Sequence, residues 1–312
     1  MQAHSVTDVV GLRRIKLFMA LSRTPHGLLD MATPAFSALM CLGAFPPPGV
    51  ILLGLLTAMA GYTAVYALND LVDYPRDKER LSRSTATERE GDLDAFLVRH
   101  PVAQGLLSFR EGVVWTVGWA LVALAGAYVL RPVCAAVFLG ACVLEAVYCA
   151  LLRVSQLRML VSGMVKSSGG LAAVLAVEPN PDPLFVANLF AWLFLWEIGG
   201  QNVPNDWSDL NEDMEVKART LPVELGSASA SWVVMTSLCS TLLLSLGLYW
   251  STKAHLNPIF QPLALLTGWS LLLRPAWRLF KERSLGAASV LFNRASYYPL
   301  GMLGSALVAS IF

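Results

Sequence analysis

The sequence predicts an all-α, polytopic membrane protein, and three observations predict it. Of its 312 residues, 55% are hydrophobic and 14% charged, and a mean hydropathy of +0.56 is too apolar for a soluble domain of ordinary make-up. Stretches of the roughly 17–25 apolar residues that a bilayer crossing needs recur along the chain. Finally, the basic residues are sorted: 19 of the 23 lie in every second connection, whereas the opposite connections hold only Arg131 and Lys253. The positive-inside rule then puts the N-terminus in the cytoplasm, and a bacterial source would make the membrane the plasma membrane. A net charge of +1 gives no support for a nucleic-acid partner.

Residues 1–26 are basic and polar, with a short amphipathic piece around Leu12–Leu21 expected to lie along the inner membrane surface. The apolar segment that follows is too long for a cleaved secretory signal. Nine spans are expected, at 27–46, 49–68, 111–130, 133–152, 159–177, 184–203, 229–250, 258–277 and 285–311. Pro46-Pro47-Pro48-Gly49 and Glu178-Pro179-Asn180-Pro181-Asp182-Pro183 make tight outer turns that leave no room for an external domain. The connection 78–110 is long and charged, and its Asp92 and Asp94 read as solvated. The five cysteines fall inside spans, without Cys-x-x-Cys spacing or nearby histidines, and read as packing residues. No second domain shows, so residues 1–312 read as a single membrane domain.

Two acidic stretches follow directly on apolar segments, Asn69-Asp70-Leu71-Val72-Asp73-Tyr74-Pro75-Arg76-Asp77 and Asp206-Trp207-Ser208-Asp209-Leu210-Asn211-Glu212-Asp213. In each, carboxylates recur at a spacing of four, Asp73 to Asp77 and Asp209 to Asp213, which stacks them on one helix face. Two facing carboxylate ladders repel unless something positive sits between them. Hard oxygen ligands suit Mg²⁺, an ion usually held by one or two carboxylates plus substrate phosphates, so a Mg²⁺–diphosphate site is expected. Glu145, Lys166, Glu197, Gln201 and Asn202 lie at or within spans, where polar groups are costly and point to an interior cavity or a partner. Lys166 either hydrogen-bonds a phosphate or neutralises Glu145 or Glu197, and Ser167-Ser168-Gly169-Gly170 beside it favours close helix packing. Glu197, Gln201, Asn205 and Asp209 recur every four residues and form a polar stripe leading to the second acidic stretch.

Asn69-x3-Asp73-x3-Asp77, Asp206-x2-Asp209-x3-Asp213 and Arg219-Thr220-Leu221-Pro222 together resemble the motifs of the UbiA-type intramembrane prenyltransferase superfamily. The order of apolar segments extends the likeness over nearly the whole chain. Arg99 and Pro101–Gly105 are similar to the superfamily's Arg-Pro-x-Ala-x-Gly signature with His100 inserted, and Lys217 stands where Gly is usual. The resemblance implies nine helices around a central cavity under a cytoplasmic cap. It also implies Mg²⁺-dependent transfer of a prenyl group from a polyprenyl diphosphate to an aromatic or other lipophilic acceptor, as in quinone or lipid biosynthesis. Asn69, Asp73, Asp77, Asp209 and Asp213 are the implied metal ligands, the four aspartates being catalytic. Asp70, Arg76, Lys166, Glu197, Gln201, Asn205, Asp206, Lys217 and Arg219 are expected to meet substrate. Arg23 and Arg294 are further candidates, each equally explained as an anchor at the inner interface. Tyr62, Tyr66, Tyr148, Trp192 and Trp196 either line the chamber and stabilise an allylic cation or pack helices. A terpene cyclase on the same fold and a cation transporter are the alternatives. The clustering of carboxylates at one face speaks against the transporter.

Overall fold

The structure is a computed structural model that describes residues 6–83 and 97–311, with side chains for residues 13–81 and 97–311; Asp92 and Asp94 lie outside the described residues. Those residues form helices and turns only. Long apolar segments can satisfy their backbone groups internally only as helices, and lipid offers them no other partner. The chain runs through α1 (Val6–Leu21), α2 (Thr24–Asp30), α3 (Ala32–Leu42), α4 (Pro48–Arg83), α5 (Phe109–Leu130), α6 (Pro132–Ala150) and α7 (Arg158–Val177). It continues through α8 (Pro183–Trp196), α9 (Val203–Ser208), α10 (Leu210–Glu215), α11 (Leu221–Ser251), α12 (Phe260–Gly268), α13 (Arg274–Glu282), α14 (Leu285–Ser296) and α15 (Tyr298–Ile311).

Among the described residues, six helices rather than nine are long and apolar enough to cross a membrane, the longest covering Pro48–Leu81. The other three expected spans are interrupted. The first is split into α2 and α3 at Met31, the eighth is α12 and α13 joined by a π turn at Trp269–Leu273, and the ninth is α14 and α15 divided at Tyr297. Proline explains the last two breaks, because it has no N–H to donate to the carbonyl four residues back. Pro275 follows the π turn. Pro299 leaves the Ala295 carbonyl without its helical partner, and the indole of Trp196 donates to that carbonyl instead, at 3.0 Å. Within the sixth span, Pro204 likewise follows a π turn at Glu197–Asn202, and the Gly200 carbonyl accepts from the Gln201 side chain at 3.3 Å. Inside α11, Gly226 takes φ 73°, a left-handed conformation that an L side chain resists.

α4 packs against α5, α6 against α7, and α8 against both α7 and α11, while α3 joins α7 to α15. Phe36, Trp192, Trp196, Leu238, Tyr298 and Met302 belong to the largest buried cluster. Gly170 permits the close approach of α7: a Cβ there would stand 2.6 Å from Leu193 and 2.8 Å from Ser37. The outer surface is apolar, with Leu52, Val129, Leu184 and Leu243 each 70% exposed, as suits a lipid face. After the undescribed stretch, the connector 97–108 returns to the bundle, where Val102 and Leu107 are buried with Leu21, Ala67 and Leu71.

Candidate active site

One face of α4 displays the whole polarity gradient of the interior. Val50, Gly54, Ala58, Tyr62, Tyr66, Asn69, Asp73 and Asp77 succeed one another at helical spacing, and all line a single cavity of about 550 Å³. At 1.5 Å per residue this face runs for roughly 40 Å, more than the ~30 Å hydrocarbon core. Toward one end the cavity is lined by apolar groups such as Phe45, Leu130, Val177 and Leu307. At the other end stand both acidic motifs, and Asp73, Asp77, Asp206, Asp209 and Asp213 all line it.

Cations of the chain itself lie among these acids. Arg80 on α4 reaches across to Asp213 at 3.0 Å and to Glu212 at 3.4 Å. Arg99 lies 3.7 Å from Asp209 and 3.5 Å from Glu212. Arg76 pairs with Asp73 at 2.7 Å and donates to the Cys149 carbonyl at 2.5 Å. Arg158, at the start of α7 and 5% exposed, lies 3.6 Å from Asp206 and 3.9 Å from the Tyr148 ring centroid. Its Nε has no partner.

His100, the residue inserted in the family-like signature, adopts φ 48° and places Nδ1 2.8 Å from Asp70 and 2.9 Å from Asp77. Only the Asp70 contact has good hydrogen-bond direction; the Asp77 oxygen lies near the nitrogen but off its line. Burial opposes the charged imidazole, yet the contacts and charges of Asp70 and Asp77 outweigh it and raise the His100 pKa above its ordinary value. Burial likewise raises the Asp213 carboxyl, against the lowering pull of Arg80 and Arg158.

The donor set fits Mg²⁺. It is rich in hard oxygens, Asp70 keeps a buried carboxylate oxygen without a protein donor, and the ligand atoms of Asp70, Asp77 and His100 lie within 4.8 Å of one another. Asn69 donates its amide N–H to Glu145 at 2.6 Å, which leaves its carbonyl oxygen as the atom for a cation.

Deeper in the membrane lies a second polar group. Lys166 pairs with Asp30 at 2.5 Å, and Tyr66 donates to the same carboxylate oxygen at 2.5 Å. The carboxylate paired with Lys166 is thus Asp30, and not Glu145 or Glu197. Ser162 donates to Glu197 at 2.7 Å, and Gln201 is hydrogen-bonded to His26, Ser296 and the Phe292 carbonyl. Glu197, Gln201, Asn205 and Asp209 all line the cavity, joined by Asn202.

Other expected residues stand elsewhere. Asp70 sits beneath His100 instead of lining the cavity, and Lys217 is exposed. Arg219 is exposed and pairs with Glu224 at 2.9 Å while holding the Val154 carbonyl, and Arg294 faces outward. Trp192 and Trp196 are packing residues, whereas Tyr62, Tyr66, Tyr148 and Arg23 line the cavity. Arg80, Arg158 and Asp30 carry no site role in the sequence, and Arg99 and His100 enter it only through the Arg-Pro-x-Ala-x-Gly-like signature. A signal for Arg158 and Asp30 was available, since each stands at the edge of an apolar span where a charge needs a partner.

A cavity with a lipophilic length and an acidic, cation-laced rim suits an amphiphile with an anionic head. The UbiA prenyltransferase family matches residues 31–297, and the chain belongs to that family. Several solved structures share its fold. The apo structure of a UbiA homologue from Aeropyrum pernix K1 matches with TM-score 0.72 and 17% identity, over 93% of this chain and 99% of that one. A digeranylgeranylglyceryl phosphate synthase matches with TM-score 0.68 and 15% identity, over 96% and 99%. A UbiA homologue from Archaeoglobus fulgidus, bound to DMAPP and Mg²⁺, matches with TM-score 0.65 and 18% identity, over 92% and 99%. No match emerges among curated protein sequences.

Proposed function

We propose that this prenyltransferase transfers a prenyl group from a polyprenyl diphosphate to a lipophilic acceptor, with Mg²⁺, at the cytoplasmic rim of its cavity. The observation that carries the reading is the convergence of two acidic motifs, more than 130 residues apart, at one end of a cavity lined with apolar and aromatic side chains. The Archaeoglobus relatives, bound to Mg²⁺ with DMAPP or GPP, support it.

Asn69, Asp73, Asp77, Asp209 and Asp213 would hold the metal, with Asp70 beside them; when bound, Mg²⁺ supplies charge stabilisation to the departing diphosphate. Arg158, Arg80 and Arg99 stand at the same rim and neutralise charge on that group as the allylic carbon–oxygen bond breaks. Tyr62, Tyr66 and Tyr148 offer ring faces and edges to the allylic cation and help keep water from it. The acceptor approaches along Glu197, Asn202 and Asn205.

The test is purified protein in nanodiscs with allylic diphosphates of several chain lengths. Release of diphosphate that needs Mg²⁺ and is strongly stimulated by an acceptor is expected. Release at full rate without acceptor would make it a cyclase, and no release with any diphosphate would overturn the transfer reaction. Reporter fusions at residues 90 and 180 are expected on opposite membrane sides, 90 being cytoplasmic; both on one side would refute the orientation.

A further inference from the structure

Away from the central cavity, the seam between α1 and α5 forms a groove on the outer face of the bundle, lined by Phe18, Arg110, Val114, Trp115, Gly118, Trp119 and Val122. Its aromatic wall is fixed in place. Trp115 donates its indole N–H to the Ser22 hydroxyl at 2.8 Å, stacks on Phe18 with ring centroids 4.7 Å apart, and meets Trp119 edge-on at 5.6 Å. The one polar atom of Trp115 is thereby satisfied by the protein, and what it leaves to the groove is ring surface. Val114, Gly118 and Val122 recur every four residues on one face of α5. A Cβ added at Gly118 would meet nothing within 4 Å, so the missing side chain leaves the groove open at its middle.

The groove is polar at one end only. α5 begins beside the connector whose Arg99 and His100 meet the acidic motifs, so Arg110 marks the end level with those motifs. Arg110 is exposed and has no acidic partner among the described residues. Arg14 of α1 is ion-paired with Glu111, and Arg13 and Lys16, both exposed, stand beside Arg14 in the chain. The mouth is therefore net positive. From Arg110 to Val122 the helix rises roughly 18 Å at 1.5 Å per residue. That is close to half of the ~30 Å hydrocarbon core, the depth of one leaflet.

We infer that this groove is a binding site for an anionic phospholipid of the leaflet that borders the acidic motifs, with the phosphodiester at Arg110 and Arg14 and one acyl chain along Val114, Gly118 and Val122. Charge selects the head, because a basic mouth at headgroup level attracts anionic lipid over zwitterionic lipid. Length selects the tail, because the apolar run ends where a single leaflet ends. A prenyl diphosphate has an anionic head too, but it brings Mg²⁺, and the only carboxylate lining this groove is Glu111, which Arg14 already holds. A phosphodiester with one negative charge needs no metal. Leu21 at the end of α1 is buried with Val102 and Leu107 of the connector, so a lipid seated between α1 and α5 also braces the segment that carries Arg99 and His100 to the rim. The site stands independently of the transfer reaction.

Quenching by brominated lipids tests this on the full chain in phosphatidylcholine nanodiscs. Phosphatidylglycerol or phosphatidylcholine, each brominated on its acyl chains, is added as a minor component, and the fluorescence owed to the groove is the part lost in Trp119→Phe. Brominated phosphatidylglycerol should quench that part at about one-fifth the concentration of its zwitterionic counterpart or less, given roughly fivefold per basic residue near the surface. Arg110→Gln should shrink the preference about fivefold. Gly118→Leu, which puts a side chain into open space, should remove the quenching by filling the groove. Geranylgeranyl diphosphate with Mg²⁺ should leave the quenching unchanged. Equal quenching by the two lipids, or a preference that survives both Arg110→Gln and Gly118→Leu, would overturn the site. Displacement of the brominated lipid by the diphosphate would make the groove a substrate site and overturn the phospholipid assignment. The comparison of the two lipids on the otherwise unaltered groove decides the matter if Gly118→Leu does not fold.

Discussion

The two acidic motifs carry the same side chains on unlike scaffolds. Asn69–Asp77 rides on one 36-residue helix, whose periodicity alone puts Asn69, Asp73 and Asp77 on the face that lines the cavity. Asp206–Asp213 is spread over two six-residue helices with Asp209 at their joint, φ −95° and ψ 7°. Their counter-cations differ in the same way. The first motif is paired by Arg76 of its own helix and by His100. The second is paired by Arg80 from α4, Arg158 from α7 and Arg99 from the connector. A motif on an unbroken helix is aligned by local geometry, whereas one on short segments depends on charges delivered by the rest of the fold.

Four experiments sharpen that comparison, or break it. The largest effect is expected from Asp73→Asn, Asp77→Asn, Asp209→Asn and Asp213→Asn, each lowering diphosphate release by ~10²-fold or more with the protein still folded. Full activity with either motif neutralised would mean that the two do not share a site.

Next comes Arg80→Ala, which strands the nearly buried Asp213 and should destabilise the protein by roughly 3–5 kcal/mol. Arg76→Ala removes a pair within one helix and should cost less, about 1 kcal/mol from that pair plus ~1 kcal/mol from its carbonyl hydrogen bond. Chemical denaturation in detergent reads the difference, and equal losses would contradict the contrast between scaffolds.

His100→Ala leaves Asp70 and Asp77 facing each other and should cost ~1–3 kcal/mol without divalent ions. Added Mg²⁺ should restore most of the loss, because it replaces the missing positive group; thermal melts with and without Mg²⁺ decide this. A deficit that Mg²⁺ leaves untouched would make His100 a packing residue only. The smallest effect is expected at Arg219. Its exposed pair with Glu224 lies away from the cavity, so Arg219→Ala should keep turnover within about twofold. A loss as large as that of the aspartates would put it back at the diphosphate.

Much of this was legible in the residues, for reasons that follow the same division. Asp73 and Asp77 were readable as one face because an α-helix repeats every 3.6 residues, and α4 keeps that period through Pro75. Arg80 and Asp213 were not readable as partners, because 133 residues separate them and no local rule joins them. Lys166 was recognisable as a buried charge needing a partner, but the choice of Asp30 over Glu145 or Glu197 is made by how α2 and α7 face each other.

The sequence by itself determined that the chain is helical and apolar enough to span a membrane, and that two acidic motifs of one family sit at span ends. These follow from hydropathy, period and charge sorting, which act over tens of residues. Tertiary structure decided which expected spans are interrupted, which cations meet which acids, and which oxygens of the stripe remain open. Gln201 and Glu197 look alike as polar residues in an apolar run. Only packing of α14 against the π turn engages the first with Ser296 and Phe292, leaving the second with an open carboxylate oxygen. A buried polar group acquires its role from the partners that the fold brings to it, and those partners come from sequence-distant helices.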